Sequence, residues 1–179
     1  MIITISGKAE AGKDFTASLI KEEFEERGKR VFIIHYADYL KFICEKYFGW
    51  DGTKSVEGRE ILQQVGTNIV RQRMPDFWVN TVVEFLKVFG RDYDVILIPD
   101  CRFPNEVEIM KVEFDQFVSL NVIREDHVSK LTEEQLQHPS EIALDGYDFD
   151  WTIKSKSGVE ALRPEVRYFV DIITKLNFL

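Results

Sequence analysis

The order of apolar and polar positions along the chain predicts alternating strands and helices. An apolar run at 1–5 is followed by apolar residues at helical spacing over 15–24, and a second apolar run covers 31–35. Gly28 lies between the last two segments and ends the helical pattern. A strand, a helix and a strand within the first 35 residues are typical of the opening of a parallel α/β sheet.

The rest of the chain continues this alternation. The run at 93–98 is the most apolar strand, and we therefore expect it at the centre of the sheet. The segment 124–146 is polar, which predicts a mobile lid. The remaining pattern predicts helices over 38–48, 57–73, 75–89, 106–114 and 159–176, strands over 116–123 and 149–154, and a turn-rich connection over 49–58.

Length, composition and charge narrow the class of protein. The chain has 179 residues, of which 45% are hydrophobic, and this is enough for a single domain over 1–179 with a sizeable core. The net charge of −8 argues against a nucleic-acid polymer or an anionic membrane as partner. Two cysteines without metal-ligand spacing, no secretory signal and no membrane-spanning stretch favour a cytoplasmic protein.

A glycine-rich turn follows the first predicted strand. Residues 7–14 read Gly-Lys-Ala-Glu-Ala-Gly-Lys-Asp, with the Gly-x-x-x-x-Gly-Lys spacing of a phosphate-binding P-loop. Glycines let successive N–H groups point inward, and the helix that follows adds its positive N-terminal end. We therefore predict that a polyphosphate binds to this loop and the next residue: Gly7, Lys8, Ala9, Glu10, Ala11, Gly12, Lys13, Asp14 and Phe15.

Two carboxylates are candidates for Mg²⁺. Asp14 stands where P-loops usually carry the hydroxyl that contacts Mg²⁺, although an acidic residue there also complements the helix dipole. Asp100 follows the strand over 93–98, at the edge of a parallel sheet where ligands bind. It could instead cap a helix or turn, but we favour the metal because Asn105 can cap the following helix.

Several cations could neutralise the charge of a transferred phosphoryl group. Lys13 would reach the outer phosphates, and Arg102 follows Asp100 at the same sheet edge. Other arginines lie at or near predicted loop and helix ends: Arg59, Arg71, Arg73 and Arg124.

For several other candidate residues, the sequence pattern does not decide between a functional and a structural role. Asp38 fits a substrate site and a helix cap equally well. His35 ends that strand and is more typical of a satisfied core residue than of a catalyst. Trp78 could contact a base, although aromatic residues at helical spacing are more often part of a core.

Five sets of residues carry a family resemblance. They are the P-loop at 7–14, Tyr-Ala-Asp-Tyr-Leu-Lys at 36–41, Gly-Arg-Glu at 58–60 with Gln-Val-Gly-Thr at 64–67, Pro-Asp-Phe-Trp-Val at 75–79, and Asp-Cys-Arg-Phe-Pro-Asn-Glu at 100–106. Through them the chain resembles, nearly end to end, the P-loop deoxynucleoside monophosphate kinases of bacteriophages and some bacteria.

The resemblance implies an α/β P-loop kinase fold of three layers, α/β/α, with a parallel central sheet. A helical substrate-binding region would cover about 38–90, and the lid about 124–146. The implied reaction transfers the γ-phosphoryl group of ATP, with Mg²⁺, to a deoxynucleoside 5′-monophosphate, giving ADP and the diphosphate. ATP and the monophosphate are the expected small-molecule partners, and a homodimer is left open.

The resemblance also implies roles for the candidate residues. The donor would be held by the P-loop, and the metal would be served by Asp14 and Asp100. The expected catalytic residues are Lys13, Asp100, Arg102 and Arg124, and the expected acceptor-binding residues are Asp38, Lys41, Arg59, Arg71, Trp78 and Arg102.

Two alternatives remain at the level of sequence. Animal-type phosphomevalonate kinases are similar in the Gly-Lys-Asp-Phe of the P-loop and in residues 140–151, but the segment 100–106 favours the nucleotide acceptor. A nucleotide-binding module without an acceptor is less favoured, because the Asn-Lys-x-Asp signature of guanine recognition is absent.

Overall fold

A computed structural model describes residues 1–53, 55–126, 128–129 and 131–176. In this part of the chain five strands form one sheet in the order β2-β3-β1-β4-β5. Every neighbouring pair is parallel, so the prediction of a parallel sheet is confirmed. The strands are β1 (Ile2–Ser6), β2 (Val31–Ile33), β3 (Val95–Ile98), β4 (Phe117–Arg124) and β5 (Trp151–Ser155).

Helices connect the strands and cover both faces of the sheet. They are α1 (Lys13–Glu25), α2 (Ala37–Tyr47), α3 (Val56–Gln63), α4 (Phe77–Phe89), α5 (Pro104–Glu113), α6 (Glu133–Leu136), α7 (Pro139–Ile142) and α8 (Val159–Lys175). None of the described helices is both long and apolar enough to cross a membrane.

The centre of the sheet differs from the sequence prediction. The expected central strand, β3, pairs with β2 on one side and with β1 on the other. The middle strand is β1, which lies between β3 and β4. The apolar character of β1 and β3 could not show which of them is the middle strand, because every interior strand of a parallel sheet is buried on both faces.

Two apolar clusters on opposite faces of the sheet confirm the three-layer α/β/α fold. On one face, Ile3 and Ile5 of β1 pack with the apolar sides of α1 and α8, including Phe24 and Phe169. On the other face, Ile2 of the same strand packs with α4 and α5. The alternation along β1 thus ties both helical layers to the middle strand.

A smaller cluster holds the helical region beside the sheet. Cys44 of α2 and Trp50 pack with Val65, which lies in a π-helix that continues α3. The π-helix covers Gln64–Arg71. The predicted helix over 57–73 is therefore a single helical stretch that changes its winding, and π-helical turns occur frequently at functional sites.

The predicted lid contains two short helices, α6 and α7, and an irregular remainder. Residues 127 and 130 of the predicted lid lie outside the described part of the chain. The segment is not detached from the core, since Glu141 of α7 bonds to the P-loop.

Candidate functional site

A cleft opens at the carboxyl ends of the strands. Its main cavity of about 720 Å³ lies between the P-loop, α2, the π-helix and the segment after β3. The sequence-predicted residues on its wall are Ala9, Glu10, Gly12, Lys13, Asp14, Phe15, Lys41, Arg59, Arg71, Trp78, Asp100 and Arg102. Residues far apart in the sequence thus share one cavity, because parallel strands place their following loops on one edge.

A second cavity of about 370 Å³ lies on the other side of the P-loop, against the predicted lid. Arg102 borders both cavities. Asp38 and the candidate cation Arg73, which is exposed, line neither cavity. The second cavity holds the remaining predicted residues Gly7, Lys8, Ala11 and Arg124.

The P-loop glycines have conformations that other residues resist. Gly12 has a φ of 90°, and Gly7 has a φ of 145°. A Cβ atom at Gly7 would lie 2.4 Å from the Val122 carbonyl oxygen of β4. Gly7 therefore allows the loop to pass close to the sheet, where its N–H groups can turn towards a phosphate.

Replacing Gly7 with alanine is expected to lower the free energy of unfolding by more than about 2 kcal/mol, because the clash adds to the backbone strain. The matched control is Gly146→Ala, where φ is 76° but no atom lies within 4 Å of the added Cβ. That control should cost about 1 kcal/mol. Urea unfolding of both variants measures the difference, and equal losses would contradict a steric role for Gly7.

Lys13 lies at the start of α1 and is buried. Its Nζ donates to the Gly7 and Lys8 carbonyl oxygens, each at 2.9 Å. Burial, together with the nearby Arg102 guanidinium, lowers the pKa of Lys13 to about 7. The ammonium group is thus held in the P-loop, where burial disfavours its charge and the carboxylates of Glu141, Asp14 and Asp100 only partly offset that effect.

A carboxylate from the lid already occupies the P-loop. Glu141 Oε2 accepts a hydrogen bond from the Ala9 backbone N–H at 2.8 Å, and Oε1 accepts from Arg102 Nη1 at 2.7 Å. Lys8 Nζ donates to the Glu141 carbonyl oxygen and pairs with Asp145. The loop, Arg102 and Lys8 therefore form an anion-binding surface that a carboxylate fills in this conformation.

Asp100 is engaged with the backbone at the start of α2. Its Oδ1 accepts from the Tyr36 N–H at 2.9 Å and its Oδ2 from the Ala37 N–H at 3.0 Å. Burial raises the pKa of Asp100. The carboxylate thus caps the helix after β2, 64 residues away in the chain, while it also lines the main cavity.

The sequence argument about Asn105 is wrong. Asn105 does not cap α5; its Nδ2 donates to the Pro75 carbonyl oxygen at 3.1 Å and to Asp76 Oδ1 at 2.7 Å. The side chain that closes this helix start is Glu106, which accepts from the Phe103 N–H at 3.0 Å. Capping of the helix by Asn105 was the reason for favouring metal binding at Asp100, and that reason does not hold.

His35 lies on the cavity wall and not in the core. Its Nε2 is 3.3 Å from Asp14 Oδ1, and its Nδ1 is 3.4 Å from Asp38 Oδ2. The hydrogen bond with Asp38 raises the pKa of His35. Burial raises the pKa of Asp38, but the bonds from His35 outweigh it and lower the value to about 2. His35 therefore links the P-loop helix to α2.

Asp38 also contacts the backbone of His35 and the side chain of Lys41. Its Oδ2 accepts from the His35 N–H at 2.9 Å, and Lys41 Nζ lies 3.4 Å from its Oδ1. Lys41 lines the main cavity. The structure thus presents His35 and Lys41 to the cavity and keeps Asp38 in contact with both.

Arg71 is held in the floor of the cavity. Its Nη2 donates to Glu106 Oε1 at 2.5 Å, and its Cζ lies 3.8 Å from the centre of the Phe103 ring. Arg59 also lines this cavity, is half-buried and forms no ion pair with the described residues. Trp78 is 3% exposed and donates its indole N–H to the Gly66 carbonyl oxygen at 3.0 Å.

Arg124 ends β4 next to the P-loop. Its Nη1 donates to the Glu10 carbonyl oxygen at 3.3 Å, and its Nε is 3.6 Å from Asp126 Oδ1. It lines the smaller cavity together with Arg102 and Lys8. Three cations therefore border the lid side of the loop.

Sequence reasoning missed Glu106 and Glu141 as residues of the cleft and interpreted His35 as a core residue. His35 follows a strand at the ligand-binding edge, and that position could have indicated it. Glu106 belongs to the segment 100–106, but its charge alone did not reveal that it pairs with Arg71. Glu141 had no sequence signal as a P-loop ligand, because 132 residues separate it from Ala9.

Comparison with protein families agrees with this geometry. A family model described as deoxynucleotide monophosphate kinase matches residues 28–166. The match covers most of the chain and includes the segment 100–106, whereas the P-loop precedes it. No curated protein sequence matches the chain.

Solved structures resemble the chain in fold. The APS kinase of Mycobacterium tuberculosis in complex with AMPPNP and APS is 9% identical with a TM-score of 0.57, covering 97% of this chain and 96% of that chain. A sugar kinase from Janibacter sp. HTCC2649 is 11% identical with a TM-score of 0.55, with coverages of 96% and 94%. Shikimate kinase from Bacteroides thetaiotaomicron is 13% identical with a TM-score of 0.50, with coverages of 97% and 98%.

Proposed function

The chain belongs to the deoxynucleotide monophosphate kinase family, and we propose that its P-loop holds the phosphates of ATP while the acceptor lies beside Arg71 and Arg102. The protein transfers the γ-phosphoryl group of ATP to a deoxynucleoside 5′-monophosphate, giving ADP and the diphosphate. Neither alternative function, a phosphomevalonate kinase or a nucleotide-binding module without an acceptor, accounts for this family match.

One observation carries the placement of the donor: the P-loop and Arg102 already bind a carboxylate. Glu141 bonds to the Ala9 N–H and to Arg102 at distances normal for an anion. A phosphate of ATP offers the same kind of oxygen acceptor with more charge. We therefore place the outer phosphates where Glu141 lies, within reach of Lys13 and Lys8.

The acceptor phosphate fits the other side of Arg102. The main cavity extends from the P-loop to Arg59, Arg71 and Lys41, which supply positive charge for a monophosphate. Trp78 forms part of the same wall, but it is 3% exposed and can offer only an edge of its ring to a base. Because Arg102 borders both cavities, it can contact the transferred group between donor and acceptor.

The carboxylates of the cleft suit Mg²⁺ bound mainly by phosphates and water. In the described residues no cluster of three or more metal-ligating side chains occurs, and kinase magnesium sites use only one or two carboxylates. Asp14 is 74% exposed at the P-loop helix and can ligate directly. Asp100 has one N–H bond on each oxygen and can accept a further bond from a metal-bound water. When bound, the metal would neutralise part of the phosphate charge.

The chain's own residues then orient and neutralise the reactants. Lys13 is fixed by two carbonyl oxygens, so little reorganisation is needed when charge develops on the phosphates. Arg102 moves its bond from Glu141 to the transferred group, and Arg124 stays beside the P-loop. We infer that the predicted lid segment that carries Glu141 releases the loop when the nucleotide binds, and then closes over the bound phosphates and excludes water.

The test of acceptor identity is a substrate panel. The protein is incubated with MgATP and each of dAMP, dGMP, dCMP, dTMP and dUMP, and ADP release is compared with an acceptor-free control. Mevalonate 5-phosphate is the counter-acceptor. Turnover with at least one deoxynucleotide is expected, and turnover with mevalonate 5-phosphate alone would overturn the assignment.

Replacing Glu141 with alanine is expected to lower the Kd for ATP by about tenfold, because the variant loses an internal competitor for the loop. Isothermal titration calorimetry without acceptor measures this affinity. Glu134→Ala, at an exposed position of α6 in the same lid, should leave the Kd unchanged. Weaker ATP binding in Glu141→Ala would show that Glu141 assists the nucleotide and does not compete with it.

A further inference from the structure

Glu106 is a buried acid in the floor of the main cavity. Its residue exposure is 2%, a value shared among described acidic residues only by Glu23. Burial raises the pKa of Glu106. A buried carboxylate requires several partners, and the partners of Glu106 lie on two different parts of the cleft.

Each carboxylate oxygen of Glu106 accepts hydrogen bonds from different partners. Oε2 accepts from the backbone N–H groups of Arg102, at 2.6 Å, and Phe103, at 3.0 Å. Oε1 accepts from Arg71 Nη2 at 2.5 Å. One oxygen therefore holds the loop that carries Arg102, and the other holds a cation from the π-helix.

Arg71 is constrained on its other sides as well. Its guanidinium lies against the Phe103 ring, and Nη1 is 3.3 Å from both the Pro75 carbonyl oxygen and Asn105 Oδ1. Its Nε is buried and has no hydrogen-bond partner in the described part of the chain. A buried donor without an acceptor is costly, so the orientation of the guanidinium is held by its other contacts. The Arg71 side chain is still 14% exposed on the cavity wall, where a ligand can reach it.

From these contacts we propose that Glu106 is a positioning residue that orients Arg71 towards the phosphate of the acceptor nucleotide. The proposal rests on the proposed function, which places that phosphate beside Arg71. Glu106 itself touches no substrate; it sets the plane of the guanidinium, whose remaining donors bind the acceptor. Rigid placement of a planar cation improves the binding of phosphate more than charge alone.

Helix capping accounts for only some of the contacts of Glu106. Closing the start of α5 requires only the bonds that Oε2 accepts from the backbone. The pair between Oε1 and Arg71 is additional, and a buried ion pair of this kind adds little net stability. The pair instead restricts the orientation of an arginine on the cavity wall.

Glu106→Gln separates the two roles. The amide oxygen of glutamine can take the position of Oε2 and keep both backbone bonds, while the amide NH₂ faces Arg71 and cannot accept from it. We expect the KM for the deoxynucleotide to rise about tenfold, with the KM for ATP unchanged and kcat within about threefold. Steady-state kinetics with each substrate varied in turn measures these values.

A double-mutant cycle shows whether Glu106 acts through Arg71. The four proteins are the wild type, Glu106→Gln, Arg71→Ala and the double variant. If Glu106 orients Arg71, its substitution has no further effect on the acceptor KM once Arg71 is absent. Independent, multiplicative effects on KM would overturn the proposal.

Glu23→Gln is the matched control for loss of a buried, arginine-paired carboxylate. Glu23 is 2% exposed and lies 3.3 Å from Arg167 Nη2, on the α1 and α8 face away from the cleft. Its substitution should lower the melting temperature and leave the acceptor KM unchanged. If Glu106→Gln likewise lowers only the melting temperature, its role is structural and the proposal is wrong.

The same data distinguish two kinds of failure. If Arg71→Ala leaves the acceptor KM unchanged, the proposed location of the acceptor phosphate fails. If Arg71→Ala raises that KM but Glu106→Gln does not, the location stands and only the positioning role of Glu106 fails.

Discussion

Lys13→Ala is expected to lower kcat by about 10³-fold or more, because it removes a preorganised charge from the P-loop at the phosphates where charge develops. The Nζ group is held by the Gly7 and Lys8 carbonyl oxygens, so it is already in place before the reaction. Burial lowers the pKa of Lys13 to about 7, although the carboxylates of Glu141, Asp14 and Asp100 partly offset the effect. Phosphates of ATP carry more negative charge and would favour the ammonium form further.

The measurement is ADP release at saturating MgATP and acceptor, with circular dichroism melting to show that the variant is folded. Lys21→Ala provides the control: Lys21 lies on the same helix, half-exposed, and pairs with Glu25 at 3.6 Å. We expect that control to retain full turnover. A Lys13→Ala protein that is folded and retains a tenth of the wild-type kcat would contradict the assigned role.

Arg102→Ala is expected to lower kcat by about 10²-fold to 10³-fold, because it removes the cation shared by the donor and acceptor sides of the cleft. Arg102 Nη1 lies 2.7 Å from Glu141 Oε1 and 3.4 Å from the Gly7 carbonyl oxygen. Arg102→Lys should not restore activity, since a lysine cannot reproduce the planar fork.

Loss of Arg102 also releases Glu141, and a second variant separates this effect from loss of the cation. If freeing the lid caused the defect, Arg102→Ala combined with Glu141→Ala would recover activity. We expect no recovery, because the cation is missing in both proteins. Arg163→Ala is the control for loss of a surface arginine, since Arg163 pairs with Glu22 at 3.0 Å on the far side of the molecule.

The anion-binding surface has a consequence for the catalytic cycle. Glu141, Arg102 and the P-loop form one bonded group in this structure. On the proposed placement of the donor, ATP displaces this carboxylate as its phosphates reach Lys13. We expect that exchange to couple nucleotide binding to movement of the predicted lid.

The class of fold and the local geometry of the P-loop could be predicted from the sequence alone. The spacing of Gly7, Gly12 and Lys13 requires a strand, a tight loop and a helix, and the structure contains β1, the P-loop and α1 in that order. Such motifs are readable because backbone conformation depends on neighbouring residues. The position of Arg102 after a strand likewise indicated the ligand-binding edge.

Which distant side chains meet in the cleft could not be predicted from the sequence, because these contacts form only when the chain is packed. Asp100 caps a helix 64 residues earlier, and Glu106 pairs with Arg71, 35 residues away. Glu141 enters the P-loop from 132 residues downstream, and β1 rather than β3 lies at the middle of the sheet. Strand order and charge pairing depend on residues that are distant in the sequence. An apolar strand or an acidic side chain is therefore compatible with several partners, and only the packed chain selects one of them.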